Sequence, residues 1–249
     1  MKTIGVIPAR YASTRFPAKV LAKLNGKVLI EHVWNKVKQC QELDEALIAC
    51  DHPAVFEAAK SFGAKAVMTN PNHPSGSDRI AEAIKDLAVD IVVNIQGDEP
   101  FIDPTTIDNL ALLLKKDKAC QMGTVIREIT NEEDFLNPNI VKCVINEQGY
   151  ALYFSRSPIP FNRNSVKPTG LKQYKHLGIY AYRKDFLLTY NTWPKGVLES
   201  TEQLEQLRVL ERGQRIKTTV TTYESIAVDT PEDLKKAEAW YAKLNSIVK

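Results

Sequence analysis

Arg10, Arg15 and Lys19 stand close together in Pro8-Ala9-Arg10-Tyr11-Ala12-Ser13-Thr14-Arg15-Phe16-Pro17-Ala18-Lys19. Small residues and hydroxyls lie between them and let backbone N–H groups approach a ligand. Cations this close repel one another unless an anion joins them, and a polyphosphate meets that need. Three solvated charges on a loop is the other reading of the same spacing. The chain has neither GxxxxGK[ST] nor GxGxxG, so a P-loop kinase and a dinucleotide dehydrogenase are both disfavoured.

Asn94-Ile95-Gln96-Gly97-Asp98-Glu99-Pro100 offers a complementary group. Gly97 permits a tight turn that projects Asp98. A carboxylate facing a polyphosphate is where Mg²⁺ is expected, since Mg²⁺ takes one or two carboxylates plus phosphate oxygens. A turn or helix-cap role explains Asp98 equally well. Ala227-Val228-Asp229-Thr230-Pro231-Glu232-Asp233 holds a second such aspartate. Asp229 can cap the helix that follows, but Thr230 can do so too, which frees Asp229 for metal. His73-Pro74-Ser75-Gly76-Ser77-Asp78-Arg79 enters a helix and suits nucleoside recognition through backbone and hydroxyl groups, or is a plain capping turn. Arg156, His176, Tyr180, Glu205 and Gln206 form a polar set suited to an acidic polyol. Spacing alone does not separate these five from surface and packing positions.

The elements that must position these residues follow a βαβ rhythm. Strands are expected at Thr3–Ile7, Ala46–Cys50, Lys65–Met68 and Ile91–Ile95. Helices are expected at Val28–Cys40, Pro53–Phe62, Asp78–Leu87 and Pro104–Leu114. This alternation predicts an α/β fold with a mostly parallel central sheet and helices on both faces. Ligands in such sheets sit beyond the carboxyl ends of the strands, so the segments after Ile7, Cys50, Met68 and Ile95 should share one crevice. Past residue 120 the pattern is less regular. Lys142–Asn146, Tyr150–Phe154, Gly178–Tyr182 and Ile216–Thr221 read as strands, Glu202–Arg212 as one amphipathic helix, and a last helix opens at Thr230. Phe161–Tyr174 reads as a polar, mobile surface loop. The simplest organisation is a single domain over 1–249 with an elaborated C-terminal half past about residue 120.

Composition narrows the class. The 249 residues are 44% hydrophobic and 25% charged, which excludes disordered, collagen-like and disulfide-dense chains. A net charge of +3 gives no reason to expect nucleic acid as a partner. Cys40, Cys50, Cys120 and Cys143 and the scattered His32, His52, His73 and His176 lack zinc-ligand spacing. Reduced, buried thiols are expected. No apolar run approaches the ~20 residues that a bilayer needs, so no membrane partner is expected. The apolar start ends at Arg10 with no cleavage region after it, so it reads as a first strand of a cytoplasmic protein.

Several segments resemble one family. They are Ile7-Pro8-Ala9-Arg10-Tyr11-Ala12-Ser13-Thr14-Arg15, Asn94–Pro100, Ala151-Leu152-Tyr153-Phe154-Ser155-Arg156, His176-Leu177-Gly178-Ile179-Tyr180, Leu204-Glu205-Gln206-Leu207-Arg208 and Val228–Asp233. In this order they are similar to the 3-deoxy-manno-octulosonate cytidylyltransferases, or CMP-Kdo synthetases. The first two segments are shared with wider nucleotidyltransferases, and the three central ones are more specific to Kdo activation. The resemblance implies a nucleotide-diphospho-sugar transferase-like, Rossmann-like fold, with a nucleotide-binding half (about 1–120) and a C-terminal half (about 121–249) for sugar binding and dimerisation. It implies the reaction CTP + Kdo → CMP-Kdo + diphosphate, feeding lipopolysaccharide synthesis, in a cytoplasmic homodimer with Mg²⁺ as cofactor.

By the same resemblance Arg10, Lys19, Asp98 and Asp229 are catalytic, and Asp98 and Asp229 hold the metal. Pro8, Ala9, Arg10, Arg15, Lys19, Ser75, Gly76 and Arg79 bind the nucleotide. Gln96, Arg156, His176, Tyr180, Glu205 and Gln206 bind the sugar. The chain departs from the family in reading Pro17-Ala18-Lys19 where Pro-Gly-Lys is common, and alanine argues against a left-handed turn there. An 8-amino analogue of Kdo or another 2-keto-3-deoxy sugar acid remains an alternative acceptor. A binding module without catalysis would lack a metal carboxylate or the cationic loop, and both are present.

Overall fold

A computed structural model describes residues 1–12, 15–163, 170–224 and 226–247. The chain forms two compact units, Met1–Asp108 with Ser225–Lys249, and Asn109–Glu224.

The first unit is built on a four-stranded parallel sheet. β1 (Thr3–Ala9) is covered along nearly its whole length, as its apolar run predicts. β2 (Lys23–Leu24) and β3 (Lys27–Val28) make a small hairpin. Its Asn25-Gly26 turn needs positive φ at both residues, which they adopt at 48° and 82°. α1 (Leu29–Val37) buries Leu29, Ile30, Val33, Trp34 and Val37, one stripe at helical spacing. β4 (Glu45–Cys50), α2 (Pro53–Ser61), β5 (Ala66–Met68), α3 (Gly76–Ile84) and β6 (Ile91–Asn94) follow. The strand order is β6-β1-β4-β5, with every pairing parallel. α1 and α3 pack against β1, and α2 against β4 and β5. α4 (Pro104–Lys116) carries the chain onward from the first unit into the second.

The second unit mixes directions. β7 (Met122–Glu128), α5 (Glu132–Leu136), β8 (Lys142–Ile145), β9 (Ala151–Ser155) and β10 (Tyr174–Arg183) come first. α6 (Lys184–Tyr190), α7 (Val197–Glu202), α8 (Leu207–Glu211) and β11 (Ile216–Thr221) complete it. β7 pairs parallel with β11 and antiparallel with β10, whose other edge meets β8, and β8 pairs with β9. The chain then returns to the first unit as α9 (Pro231–Ile247). There Val228 and Ala237 close a buried cluster with Leu24 and Leu29.

The helix expected over Glu202–Arg212 shortens to α8, Leu207–Glu211, and Glu202 instead ends α7, a helix the sequence pattern did not show. Gln203 takes a left-handed conformation (φ 55°) and separates α7 from α8. The apolar pattern misleads because Leu204 and Leu207, either side of the new start, are both buried anyway. β7 was not legible as a strand. Within the loop expected at 161–174, residues 164–169 lie outside the described residues, as do Ser13 and Thr14. All four cysteines are free. Among the described residues no helix is long and apolar enough to cross a membrane.

Candidate active site

The crevice forms where β1 ends. Tyr11 donates its backbone N–H to Asp51, the residue after β4, at 2.8 Å. Its carbonyl accepts the N–H of Ala18 at 3.1 Å, so the loop doubles back. Ala18 sits at φ 53° and ψ 28°, contrary to the expectation that alanine would avoid a left-handed turn. The turn is over-determined. The Ala18 N–H is bonded, its carbonyl accepts from Leu21 at 2.8 Å, and Lys19 bonds Phe16 at 3.1 Å across it. These bonds offset the ~1–2 kcal/mol that the conformation costs.

That turn delivers Lys19. Its ammonium lies 2.6 Å from Asp98 and 2.8 Å from Asp229, with the side chain only 12% exposed. Arg15 reaches the other oxygen of Asp229 at 3.2 Å. Burial pulls the Lys19 pKa down, but the two carboxylates outweigh it and leave it above the ordinary value. Two backbone features bring the aspartates together. Val228 donates its N–H to the carbonyl of Asp98 at 2.9 Å. Gly97 lies so near the strand end that a Cβ there would be 3.1 Å from the Pro8 carbonyl oxygen. Thr230 caps α9 by accepting from the Asp233 N–H at 3.2 Å, while the Asp233 carboxylate accepts from Thr230 at 3.1 Å. The Asp229 side chain is thereby released from capping.

Pro8, Arg10, Arg15, Lys19, Gly76, Gln96, Asp98 and Asp229 thus line one crevice of ≈ 820 Å³, within the first unit and roomy enough for a nucleotide. Ala9 is buried at the strand end. Arg10 donates to the carbonyl of His73 at 3.3 Å, whose ring pairs closely with Glu82. Ser75 and Arg79 do not line the crevice. Ser75 is the N-cap of α3, accepting from Asp78 at 3.2 Å. Arg79 is fully buried, with its guanidinium 3.0 Å from Asp51 and a further bond to Thr69.

In the second unit, His176, Tyr180 and Gln206 form one connected group. The His176 ring lies between Phe154 (5.0 Å) and Tyr180 (5.3 Å). Thr124 donates to the carbonyl of Ile179 at 2.8 Å and lies 2.9 Å from His176 Nε2. That network assigns the proton to Nε2. Burial pulls the imidazole pKa down to about 3, so it is neutral. Tyr180 donates its hydroxyl to Gln206 Oε1 at 3.2 Å. Gln206 is 3% exposed, and its Nε2 has no protein hydrogen-bond partner. Glu205 is engaged elsewhere, accepting from the Tyr190 hydroxyl at 2.8 Å. Arg156 donates to the carbonyls of Glu202 (2.8 Å) and Pro138 (3.1 Å).

A family model described as "Cytidylyltransferase" matches residues 4–216. A 3-deoxy-manno-octulosonate cytidylyltransferase of Solibacter usitatus is 48% identical over 94% of this chain and 92% of that protein. The one from Thermodesulfovibrio yellowstonii is 48% identical over 96% and 97%. The chain belongs to the 3-deoxy-manno-octulosonate cytidylyltransferase family. Like its relatives, this cytidylyltransferase is an enzyme, a nucleotidyltransferase. A solved CMP:2-keto-3-deoxy-manno-octonic acid synthetase complexed with CTP is 40% identical, with a TM-score of 0.92 over 98% of this chain and 99% of that one. A 4-diphosphocytidyl-2C-methyl-D-erythritol synthase from Anaerococcus prevotii shares the fold at 15% identity and a TM-score of 0.64.

Residue type alone missed three groups in this cytidylyltransferase. Asp51 directly follows a parallel strand, so the rule that ligands gather at strand ends carried the signal for it. Lys142 is fully buried with its ammonium on the carbonyls of Asn137 (2.9 Å) and Ile140 (2.7 Å), and nothing in its neighbours marks it. Thr124 came from β7, which was itself unread.

Proposed function

We propose that this cytidylyltransferase transfers a cytidylyl group from CTP to Kdo, giving CMP-Kdo and diphosphate for lipopolysaccharide synthesis. The observation that carries the reading is the convergence of Asp98 and Asp229, from separate segments, on one cation position beside the Arg10–Lys19 loop. The donor set fits Mg²⁺. Both groups are hard carboxylate oxygens, and a Mg²⁺ site draws its remaining ligands from phosphate and water. Asp98 and Asp229 would hold the ion, which when bound neutralises phosphate charge and makes the anomeric hydroxyl of the sugar more acidic.

The chain's own groups do the rest. Arg10, Arg15 and Lys19 hold the triphosphate and stabilise the charge that grows on the departing diphosphate. Gly76, beside Pro8, lets the nucleotide come close to the backbone. Kdo recognition falls to the polar group of the second unit, where the buried Nε2 of Gln206 offers a donor and neutral His176 a rigid wall. No covalent intermediate is needed. The thiols are unsuited to one, since burial pushes Cys40 and Cys143 up to about 12. Free thiols, buried at Cys50, Cys120 and Cys143 and half-buried at Cys40, fit a reducing cytoplasm. A homodimer is the proposed assembly, and sedimentation at two concentrations tests it.

The test is diphosphate release with CTP, Kdo and Mg²⁺, beside mixtures lacking Kdo or holding UTP. Release is expected only in the complete mixture, and Asp98→Asn or Asp229→Asn should lower it at least ~100-fold with the fold intact. Near-normal turnover in both variants overturns the metal assignment. Release with the 8-amino analogue but not with Kdo moves the error to the acceptor.

A further inference from the structure

We propose that Asp51 and Arg79 are positioning residues of the nucleotide site: the buried pair fixes the backbone of the cationic loop at Tyr11. The inference deepens the CTP reading above and rests on it for its kinetic arm only.

The geometry runs in one direction. Arg79 projects from α3 and is fully buried. Asp51, with 7% of its side chain exposed, accepts from the guanidinium through Oδ2 at 3.0 Å. Its other oxygen accepts the N–H of Tyr11 at 2.8 Å. The Tyr11 carbonyl in turn receives Ala18 at 3.1 Å, one residue before Lys19. The Tyr11 ring stacks on His52 with centroids 3.8 Å apart and planes 14° apart. Three groups therefore hold one residue, which lies between Arg10 and the rest of the cradle.

A buried ion pair is weak evidence for stability, because well-packed apolar residues often do as well. An apolar pair here would still join β4 to α3. It would leave the Tyr11 N–H without an acceptor and the loop without its anchor. What the charged pair adds is a doubly engaged carboxylate, aimed at the loop and held in place by Arg79. A loop bearing Arg10, Arg15 and Lys19 needs such an anchor, since mutual repulsion and backbone entropy both oppose its order.

Asparagine at position 51 separates anchoring from packing. It keeps the shape but offers one acceptor oxygen to two donors. If that oxygen faces Arg79, its amide N–H₂ faces the Tyr11 N–H, donor against donor. The double variant Asp51→Leu with Arg79→Met removes the acceptor and leaves no buried charge unpaired.

The experiment reads amide hydrogen exchange at Tyr11 and steady-state kinetics on the full chain. In the wild type, the Tyr11 amide should be protected like those of β4. In Asp51→Asn and in the double variant it should exchange at least about tenfold faster, as loss of a charge-assisted bond predicts. KM for CTP should rise about tenfold in both, with KM for Kdo little changed. Arg79→Lys should restore part of the Tyr11 protection and of the CTP affinity that Arg79→Met loses. A wild-type Tyr11 amide that exchanges like an exposed loop overturns the inference. So do variants that lower Tm but leave Tyr11 exchange and KM for CTP unchanged, since the pair is then structural only. If the wild type fails to turn over CTP, the functional reading falls while the exchange arm still decides this one.

Discussion

Ala18 shows how far a single residue departs from what its type predicts. Its left-handed backbone is held by its neighbours' hydrogen bonds and not by its own preference. Ala18→Gly should therefore relieve strain and raise stability by about 0.5–1 kcal/mol, the left-handed penalty less the extra entropy that glycine loses. Urea unfolding checks this, and a destabilised variant would mean the turn bears no strain. His176 gives a pH prediction. Its pKa lies near 3 in the native state because of burial, against 6.5 when exposed. The unfolded chain binds the proton first as pH falls below 6.5, so native stability declines from there until the native ring also protonates near 3. Between the ordinary value of 6.5 and pH 5 the loss amounts to about 1–2 kcal/mol. His176→Gln should lower Tm at pH 7 but flatten its decline between pH 7 and 5. An equally steep decline in the variant assigns the effect to another group. Asp98 and Asp229 were legible as candidates because each stands in a turn, one after Gly97 and one before a helix that Thr230 can cap, and the family resemblance rather than spacing separated them from plain capping residues. The role of Arg79 was not, because a motif places a residue on a helix without saying which way its guanidinium turns.

Short elements depend on pairs that a linear pattern does not display. α7 and α8 have six and five residues, too short to be stable alone, and Gln203 interrupts them. Arg208 of α8 joins them through two bonds of 2.6 Å to Glu199 of α7, and it also packs over the Tyr190 ring at 5.0 Å. Both charges are nearly buried, so removing one partner strands the other. Glu199→Ala should cost about 3–5 kcal/mol. It should also loosen Glu205 and Gln206, which lie between the pair in the chain, and so raise KM for the acceptor more than KM for CTP. Thermal melts with kinetics on both substrates test this. A lower Tm with both KM values unchanged would limit the pair to stability. β1, β4, β6 and α1 of the first unit were readable because each buries a run or a stripe, whereas the two-residue β2 and β3 carry too little pattern to read. α7, the start of α8 and β7 were not readable either. The helices are set by a charged pair nine residues apart, and β7 hides its apolar run behind Gly123 and Thr124.

At the scale of the molecule, the chain's last segment rejoins its first unit. Local periodicity shows that α9 is a helix and that Thr230 starts it, but not where its apolar side docks. Leu234, Ala237 and Tyr241 pack with Leu24, Leu29, Phe16 and Phe101. The same return places Val228 on the Asp98 carbonyl and Asp229 beside Lys19. Bringing Asp229 beside Asp98 and closing this part of the core are therefore one event. A chain ended at Asp229 keeps the carboxylate but loses the helix, the Thr230–Asp233 cap and the burial of three apolar side chains. That burial is worth roughly 4–5 kcal/mol, comparable with the whole margin of a small domain. The shortened chain should lose cooperative melting of the first unit and all diphosphate release. Tyr241→Ala in the full chain should lower Tm by several degrees while keeping turnover, because the cap still holds Asp229. Calorimetry of the three proteins beside the release assay checks both. A shortened chain that melts like the full one would mean α9 only covers the surface. A Tyr241→Ala variant that loses turnover without losing Tm would place the ring in the site itself.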